Sequence, residues 1–550
     1  MNGNNTRATA IAAFTRSLPQ LDTETTWLTM KTPETHLSVT SRASTSNFLS
    51  VTMVLPLLLV LVLPVLARAQ PSSQTLFTYT TNNGTITITG YSGPGGAVTI
   101  PDTINGLAVT GIGGWEPYGP VRASGPIGTL ANKLATVTIP DRAMTIQGGA
   151  FSNCTSLTSI TIPNGVTTIG QSAFYSCTNL TRVTIPTSVT VIGTRAFWGC
   201  GRLADVTIPN SVTIIGSHAF WKCSSLAKVT IPKKVTSIGI DTFRGCTSLR
   251  AIMVDEPNPV YCSVDGVLFD RRQSTLMQYP EGKAGGGYTI PDGVTGIRDR
   301  AFRDCSSLTS VTIPESVTSI GVDAFADCSG LASATIPNSV TTIGDGAFSS
   351  CTRLTSVTIP NSVTRIGSKA FYQCTSLTSV TIPYSVTTIG DSVFYSCAGL
   401  TNVTIPTSVT RIGSKAFWKC TSLVEVTIPN SLTSIGNAAL SGCTGLASVT
   451  IPNGVMTVGS DAFAGCTSLT NVIVPGSVTR IGSRAFALCS SLTGVYFQGD
   501  APDGGPDLFA NADRATIYYL NGTRGWGPKY GGRRTAPDPR SLAPAKSSSF

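Results

Sequence analysis

Fifteen cysteines are the residues of this 550-residue chain that could form disulfides, bind a metal or act as nucleophiles. Most of these cysteines recur at a fixed spacing, as a chain of stacked structural units would place them. If each unit held its cysteine at the same inward position, the Cβ atoms of neighbouring cysteines would stand roughly 4.8 Å apart, a separation wider than a disulfide prefers. We therefore favour a ladder of buried free thiols over the alternatives of scattered disulfides and a thiolate metal site. Fourteen of the cysteines recur every 23 residues in two series, namely Cys154, Cys177, Cys200, Cys223 and Cys246, and then Cys305, Cys328, Cys351, Cys374, Cys397, Cys420, Cys443, Cys466 and Cys489.

Residues for other kinds of catalysis are scarce. A Ser-His-Asp or Cys-His site needs a positioned imidazole, but the chain has only His36 and His218, and we interpret His218 as a surface residue. Asp323, Asp327 and Asp345 lie in adjacent units, at positions that elsewhere hold Ser, Gly or Asn, which is typical of solvated sites. The sequence thus predicts no catalytic residues, no metal site, no cofactor and no enzymatic activity.

The cysteine spacing belongs to a sequence repeat, represented by LTSVTIPYSVTTIGDSVFYSCAG from Leu377 to Gly399. Val380 to Ile382 alternate as in a strand that Pro383 ends, and a second short extended run follows. Gly390 permits a positive φ at a corner, and the next residues predict one helical or 3-10 turn with Phe394 inward. A repeat of this length indicates a solenoid, in which each coil buries its apolar edge against its neighbours.

The unit L-x-x-V-x-I-P-x-x-V-x-x-I-G-x-x-A-F-x-x-C resembles the BspA-like leucine-rich repeat family, the 23-residue type found in secreted and surface bacterial proteins. The resemblance extends roughly from Val98 to Asn521. It implies a β-rich leucine-rich-repeat solenoid, with short stacked strands, one short helical or 3-10 turn per coil, and N- and C-terminal caps. Members of the family are implicated in adhesion and in host or matrix binding, so the resemblance implies an adhesin-like role.

Composition and repeat register divide the chain into nine segments. Residues 250–288 interrupt the regular coils, and we interpret them as a projecting hairpin or a modified coil, with Cys262 off the cysteine register. The segments are 1–50, a disordered or mis-called leader; 51–69, a signal peptide; 70–110, an N-terminal β cap; 111–133, an irregular loop; 134–249, leucine-rich repeats; 250–288, the insertion; 289–494, leucine-rich repeats; 495–530, a C-terminal cap; and 531–550, a disordered tail.

The apolar run from Val54 to Leu66 is followed by Ala67-Arg68-Ala69. A run this short with an A-x-A ending is typical of a secretory signal peptide, because a membrane-spanning helix needs about 20 residues. We expect cleavage between Ala69 and Gln70, with an uncleaved N-terminal anchor as the alternative, and translation from Met30 as an option. The expected location is secreted or at the cell surface, without a stable transmembrane anchor.

Two columns of residues are candidate contact sites. The position after the repeated Phe holds a first aromatic stripe and a second aromatic stripe, whose rings could bind a sugar or a protein or could instead shield the core. The recurring T-R-I-G-S-[KR]-A-F holds a basic column, which suits an acidic partner or is simply solvated. The first stripe is Tyr175, Trp198 and Trp221, the second is Tyr372, Tyr395 and Trp418, and the basic column is Arg365, Lys369, Arg411, Lys415, Arg480 and Arg484.

The sequence therefore predicts a secreted or surface protein that binds an extracellular protein or polysaccharide and performs no catalysis. The net charge of +10 favours an acidic partner, although part of this charge lies in the two tails. We predict no nucleic-acid partner, and the sequence does not indicate an oligomeric state. The alternative is a passive structural component of the envelope or extracellular matrix without a specific ligand.

Overall fold

The computed structural model describes residues 76–113 and 133–542. The predicted leader, the signal peptide and most of the predicted loop at 111–133 therefore lie outside the described residues. The described chain winds through a stack of coils, and equivalent residues of regular neighbouring coils pair at a separation of 23. This architecture is the predicted β-rich leucine-rich-repeat solenoid.

Each regular coil contributes one strand to each of two parallel rows. The first row comprises Gly96–Thr99, Leu134–Thr138, Ser159–Thr161, Arg182–Thr184, Asp205–Thr207, Lys228–Ile231, Ala251–Val254, Gly287–Thr289, Ser310–Thr312, Ser333–Thr335, Ser356–Thr358, Ser379–Thr381, Asn402–Thr404, Glu425–Thr427, Ser448–Thr450, Asn471–Val474, Gly494–Phe497, Thr516–Tyr519 and Arg533–Pro537. The second row comprises Thr85–Tyr91, Leu107–Ile112, Thr145–Ile146, Thr168–Ile169, Val191–Ile192, Ile214–Ile215, Ser237–Ile238, Thr275–Gln278, Gly296–Ile297, Ser319–Ile320, Thr342–Ile343, Arg365–Ile366, Thr388–Ile389, Arg411–Ile412, Ser434–Ile435, Thr457–Val458, Arg480–Ile481 and Asp503–Gly504. The remaining strands are Phe77–Asn82, Thr103–Ile104, Tyr261–Val264, Val267–Asp270 and Lys529–Tyr530, and a 3-10 helix spans Pro539–Leu542.

The alternation of the repeat determines which side chains enter the core. Val183 is buried between exposed Arg182 and Thr184, and it pairs in register with Ile160 and Val206 of the neighbouring coils. Because successive side chains of a strand point to opposite faces, each coil adds one residue to a continuous internal row. The phenylalanines form a similar row, in which neighbouring ring centroids lie 4.7 to 5.7 Å apart.

The third side of each coil differs from the predicted helical or 3-10 turn. No α-helix occurs in the described ranges, and this side consists of consecutive tight turns. The prediction fails because Ser172 and Ser176 have φ of 54° and 56°, which a right-handed helix does not accept. The N–H groups of Ser172 and Phe174 instead donate to the carbonyl oxygens of Thr194 and Ala196 in the next coil, at 2.9 and 2.7 Å.

The glycine of the repeated Ile-Gly pair allows the backbones of neighbouring coils to pack closely. The positive φ predicted for Gly390 is wrong, and Gly193 likewise lacks one. A Cβ atom on Gly193 would stand only 2.7 Å from the carbonyl carbon of Gly170, because the two backbones touch at this corner. The position therefore excludes side chains by contact between coils.

The insertion is a modified coil whose hairpin is built into the core. Tyr261–Val264 and Val267–Asp270 pair as an antiparallel hairpin. Thr275–Gln278 pairs antiparallel with the hairpin and parallel with Gly296–Ile297, so it rejoins the second row. Phe269 is fully buried, which contradicts the option of a hairpin projecting from the solenoid.

This modified coil separates two hydrophobic cores. One core extends from the N-terminal strands to Ile252 and includes Tyr261 and Leu268, and the other begins at Cys262 and reaches Ile517. The regular stack of phenyl rings therefore ends at one side of the insertion and starts again at the other.

The ends of the described chain are both paired. Phe77–Asn82 and Thr85–Tyr91 form an antiparallel hairpin that turns at Asn83-Gly84, where both residues have a positive φ. At the other end, Arg533–Pro537 pairs parallel with Thr516–Tyr519. The disordered tail predicted from residue 531 is therefore wrong up to residue 542, because backbone pairing orders this segment in spite of its polar composition. The rest of the predicted tail lies outside the described residues.

Within residues 76–113 and 133–542 there is no helix with the length and apolar character that crossing a membrane requires.

Candidate functional site

Both aromatic stripes lie on the turn side of the solenoid, one position after the buried phenylalanine. The backbone fixes this position twice, because the N–H of Trp198 donates to the carbonyl of Arg195 at 3.1 Å and its carbonyl accepts from Ser176 at 2.6 Å. Phe197 is fully buried, so the following side chain emerges at the surface, where Trp198 is half-buried. The structure thus brings each predicted stripe together as a contiguous row.

The first aromatic stripe carries cations at its rings. The ring centroids of Tyr175 and Trp198 lie 5.1 Å apart, and those of Trp198 and Trp221 lie 4.1 Å apart. Arg195 stands over Trp198 at 5.0 Å, and Arg244 stands over Trp221 at 5.5 Å. Such cation–π contacts hold the guanidinium groups at the surface beside the rings.

The second aromatic stripe is a flatter stack. The ring centroids of Tyr372 and Tyr395 lie 4.5 Å apart with an interplanar angle of 16°, and those of Tyr395 and Trp418 lie 4.3 Å apart at 21°. The Nζ of Lys419 lies 4.2 Å from the Trp418 ring centroid. Burial raises the pKa of Tyr395 above its ordinary value. Because the ring faces cover one another, this stripe presents mainly ring edges and hydroxyl groups.

The basic column is exposed along its whole length, but it is not contiguous. In the second row Arg365 and Arg411 belong to coils separated by the coil of Thr388, and Ser434 follows Arg411. Arg365 forms an ion pair with Asp345 at 3.1 Å, and Arg484 forms one with Asp461 at 3.0 Å. Lys369 and Lys415 lie in the same turns as the second aromatic stripe, because their carbonyl oxygens accept from the N–H groups of Tyr372 and Trp418 at 3.0 and 3.2 Å. The strands of Arg365 and Arg411 belong to the same two coils, whereas the strand of Arg480 lies further along the stack.

The cysteines form the predicted ladder of buried free thiols. The Sγ of Cys177 donates to the carbonyl oxygen of Phe151 at 3.1 Å, and that of Cys397 donates to Phe371 at the same distance. Cys262 is also buried, with its Sγ 3.1 Å from the carbonyl oxygen of Asp270. Burial raises the pKa of these thiols, to about 12 for Cys374, Cys420 and Cys489. The thiolate that nucleophilic or metal chemistry requires is thus strongly disfavoured.

His218 is less exposed than a surface residue. Its side chain is 19% exposed, and its ring centroid lies 5.1 Å from that of Trp221. Its Nε2 is 3.6 Å from a carboxylate oxygen of Asp241. Burial lowers the pKa of His218, while Asp241 opposes the effect. The prediction of a simple surface residue is therefore wrong, because the neighbouring indoles cover the ring.

The three aspartates considered in the sequence make ion pairs. Asp323 and Asp327 both bind Arg303, at 2.6 and 3.2 Å, and Asp345 binds Arg365. In the part of the chain that the structure describes, no group of three or more His, Cys, Asp or Glu side chains could hold a metal ion.

Sequence reasoning missed a charged cleft at the modified coil. Arg244, Arg300, Arg303, Asp241 and Glu281 line it, although they come from three different coils. The available signal was the register of Glu281, which lies 23 residues before Asp304 and so occupies a turn position next to the arginines.

A protein-family comparison matches the repeat units of the chain. The BspA type leucine rich repeat region matches in six copies, over residues 130–250, 287–400 and 387–516. A search of curated proteins found no match.

Several solved structures are similar to the chain. A leucine-rich repeat protein from Bacteroides ovatus is 26% identical and covers 81% of this chain and 98% of its own, with a TM-score of 0.46. A leucine rich cell surface protein from Faecalibacterium prausnitzii is 26% identical, with coverages of 77% and 94% and a TM-score of 0.32. The pneumococcal vaccine antigen PcpA is 20% identical, with coverages of 82% and 93% and a TM-score of 0.36.

The family match spans more than half of the chain, and its residues are those whose strands, phenylalanines and thiols form the stacked coils. The chain therefore belongs to the BspA type leucine-rich repeat family.

Proposed function

We propose that the protein is an adhesin-like binding protein, exported by its N-terminal segment and displayed outside the cell, which contacts a protein or polysaccharide and performs no catalysis. The observation that carries the proposal is the first aromatic stripe, where two tryptophans and a tyrosine form a contiguous half-buried row flanked by arginines. Trp, Tyr and Arg are the residues that most often dominate binding energy at interfaces.

Charge supports an acidic partner for this surface. Arg195, Lys222 and Arg244 border the first stripe, and Lys419 borders the second. An anionic polysaccharide or an acidic protein would meet cations and aromatic surface at the same place.

A passive structural role is the second candidate, and the second aromatic stripe favours it. Stacking of sugar rings on aromatic residues needs a free ring face, but the faces of Tyr372, Tyr395 and Trp418 largely cover one another. On this alternative the stripes only shield the core, and their removal would affect stability without affecting any ligand.

The test is binding of the purified chain, residues 70–550, to an array of glycans and matrix proteins. A variant with Trp198, Trp221, Tyr395 and Trp418 changed to Ser is compared with the wild type and with Tyr384→Ser. Tyr384 is a matched control, because its side chain is 71% exposed and lies outside both stripes.

We expect the stripe variant to lose binding by at least about tenfold, as removal of hot-spot aromatics typically does. Circular dichroism establishes that each variant is folded. Binding that survives in the folded stripe variant would exclude the stripes as the contact site, and an array without any signal for the wild type would favour the structural role.

A further inference from the structure

A cleft of about 110 Å³ opens at the modified coil, between the two hydrophobic cores. On one side the phenyl stack ends at Phe243, and on the other Tyr279 takes the ladder position and stacks on Phe302 at 5.0 Å. The aromatic stack does not continue directly from Phe243 to Tyr279 among the described ring pairs. The turn side of the solenoid is therefore incomplete here, and charged side chains line the gap.

The carboxyl group of Glu281 replaces a backbone carbonyl as hydrogen-bond acceptor in this gap. In the preceding coil the N–H of Lys222 donates to the carbonyl of Arg244 at 2.8 Å. The equivalent N–H of Gly245 donates instead to Oε1 of Glu281, at 2.6 Å. Glu281 is only 6% exposed, and its other oxygen, Oε2, is buried without a hydrogen-bond partner among the described residues. A buried polar atom without a partner is costly, so the cleft contains unused hydrogen-bonding capacity.

Four guanidinium groups line the same cleft, and their donors are incompletely used. The Nε of Arg303 is buried and has no partner within the described chain. Arg300 reaches carboxylate oxygens only at 3.6 and 3.8 Å, which is too long for a hydrogen bond. The backbone of Arg298 is hydrogen-bonded to Leu276 and Ala301, but its guanidinium group makes no hydrogen bond or ion pair to a described residue. The guanidinium group of Arg244 is held by Asp304 at 2.6 Å.

The charge of the lining is positive. Among the lining residues the four arginines face Asp241 and Asp299, and Glu281 adds a further carboxyl group. Asp304, Asp323 and Asp327 pair with Arg244 and Arg303 from outside the lining, so Arg298 and Arg300 are the arginines left without a close ion pair. Burial raises the pKa of Glu281 to about 8, with Asp304 and Asp241 contributing, while the Gly245 N–H and Arg244 oppose the shift. At neutral pH the Glu281 carboxyl is therefore mainly protonated, and its hydroxyl is one more donor.

We propose that this cleft binds a single oxyanion, either the carboxylate of a sugar acid or a free inorganic anion. Convergent guanidinium groups match the oxygen atoms of such anions, and charge-assisted hydrogen bonds of this kind are stronger than neutral ones. The unpartnered Nε of Arg303 and the unpartnered Oε2 of Glu281 are the buried atoms that the anion would satisfy. Arg244 lines the cleft and also borders the first aromatic stripe, so the two sites adjoin. The test therefore changes Arg298 and Arg300, which make no cation–π contact with that stripe among the described residues. Failure of this test would leave the proposed adhesin-like role in place.

The test is isothermal titration calorimetry of the purified chain with sodium glucuronate, with sodium sulfate and with glucose as the uncharged control, in Tris chloride at pH 7. We expect saturable binding of at least one oxyanion and none of glucose. The double variant Arg298→Gln and Arg300→Gln should weaken binding by at least about tenfold, because it removes two charged donors.

The matched control is Arg353→Gln, an exposed arginine of a distant coil, which should bind as the wild type does. Preference for glucuronate identifies a sugar acid, and equal or tighter binding of sulfate identifies a small inorganic anion. Absence of saturable binding by both anions, or equal weakening by Arg353→Gln, would overturn the site.

A pH series separates a binding role of Glu281 from a structural one. The groups that face it are Asp241, Arg244 and Asp304, together with the thiols of Cys246, Cys305 and Cys328. Wild-type affinity for either anion should fall between about pH 7 and about pH 9, as Glu281 loses its proton and repels the ligand. Glu281→Gln, which keeps a donor at this position, should bind with little pH dependence. Wild-type affinity that does not change with pH, or loss of binding in Glu281→Gln, would contradict the assignment.

Discussion

The cysteine of each coil stabilises the fold as a hydrogen-bond donor as well as an apolar side chain. In coil after coil its Sγ lies close to the carbonyl oxygen of the phenylalanine in the preceding coil, as for Cys351 and Phe325 at 3.1 Å. That oxygen is buried, and a valine or alanine in place of cysteine would leave this contact unmade. The recurrence of cysteine in the repeat thus has a structural cause.

We predict that all fifteen thiols resist modification in the native protein. The hydrogen bond with Cys177 and burial raise the pKa of Cys154, and burial raises the pKa of the other thiols, including Cys262, so the reactive thiolate is rare. Titration with Ellman's reagent at pH 8 should give no fast phase, and addition of guanidinium chloride should release every thiol. A stoichiometric fast reaction of the native protein would show that at least one thiol is accessible.

At the scale of the coil, the stack depends on corners where neighbouring backbones touch. Gly216 repeats the geometry of Gly193, because a Cβ atom there would lie 2.6 Å from the carbonyl carbon of the preceding corner glycine. The inter-coil hydrogen bonds of the turn side require this approach, since they join consecutive coils residue by residue.

We predict that Gly193→Ala lowers the free energy of unfolding by about 1 to 3 kcal/mol, the usual cost of overpacking a tight site. Chemical denaturation followed by circular dichroism measures the change. Gly201→Ala is the control, because its Cβ would meet only the Oγ of Ser224 at 3.5 Å. We expect a change within about 0.5 kcal/mol for the control. Equal destabilisation by both substitutions would argue against contact between corners as the cause.

The regular coils could be predicted from sequence because their spacing and alternation are local properties. The alternating apolar residues Val380 and Ile382 predict the strand, and the phenylalanine that recurs in each coil, as at Phe394, predicts the core. For residues 250–288 the sequence left a projecting hairpin and a modified coil as alternatives, because Tyr279 takes the position of the phenylalanine and Gly282 that of the cysteine. The cleft depends on the contact between Arg244 and Asp304, which lies 60 positions later in the chain, and no local sequence pattern reveals such a contact.

At the scale of the whole repeat array, the modified coil divides the stack into two blocks. Phe151 to Phe243 form one aromatic stack and Tyr279 to Phe417 begin the other. In a repeat protein the stability of each region comes from its coils and from the interfaces between neighbours. Because the aromatic stack is interrupted at the cleft, we expect the two blocks to open separately there.

We predict that Phe197→Ala, which removes a fully buried ring, destabilises the first block by about 3 to 5 kcal/mol and leaves the second block nearly unchanged. Hydrogen exchange followed by mass spectrometry should show faster exchange only at residues of the first block. Phe371→Ala is the matched substitution for the second block and should give the reverse pattern. Equal loss of protection in both blocks after either substitution would indicate a single cooperative unit.

The uniform length of the coils has a consequence for how such a chain can change. Because residues 23 apart pair in register, each regular coil presents equivalent strand edges to the coil before it and to the coil after it. Deletion or duplication of one complete coil in the gene would leave every remaining interface intact. The separation of the two aromatic stripes could thus be adjusted during evolution in steps of one strand spacing, about 4.8 Å.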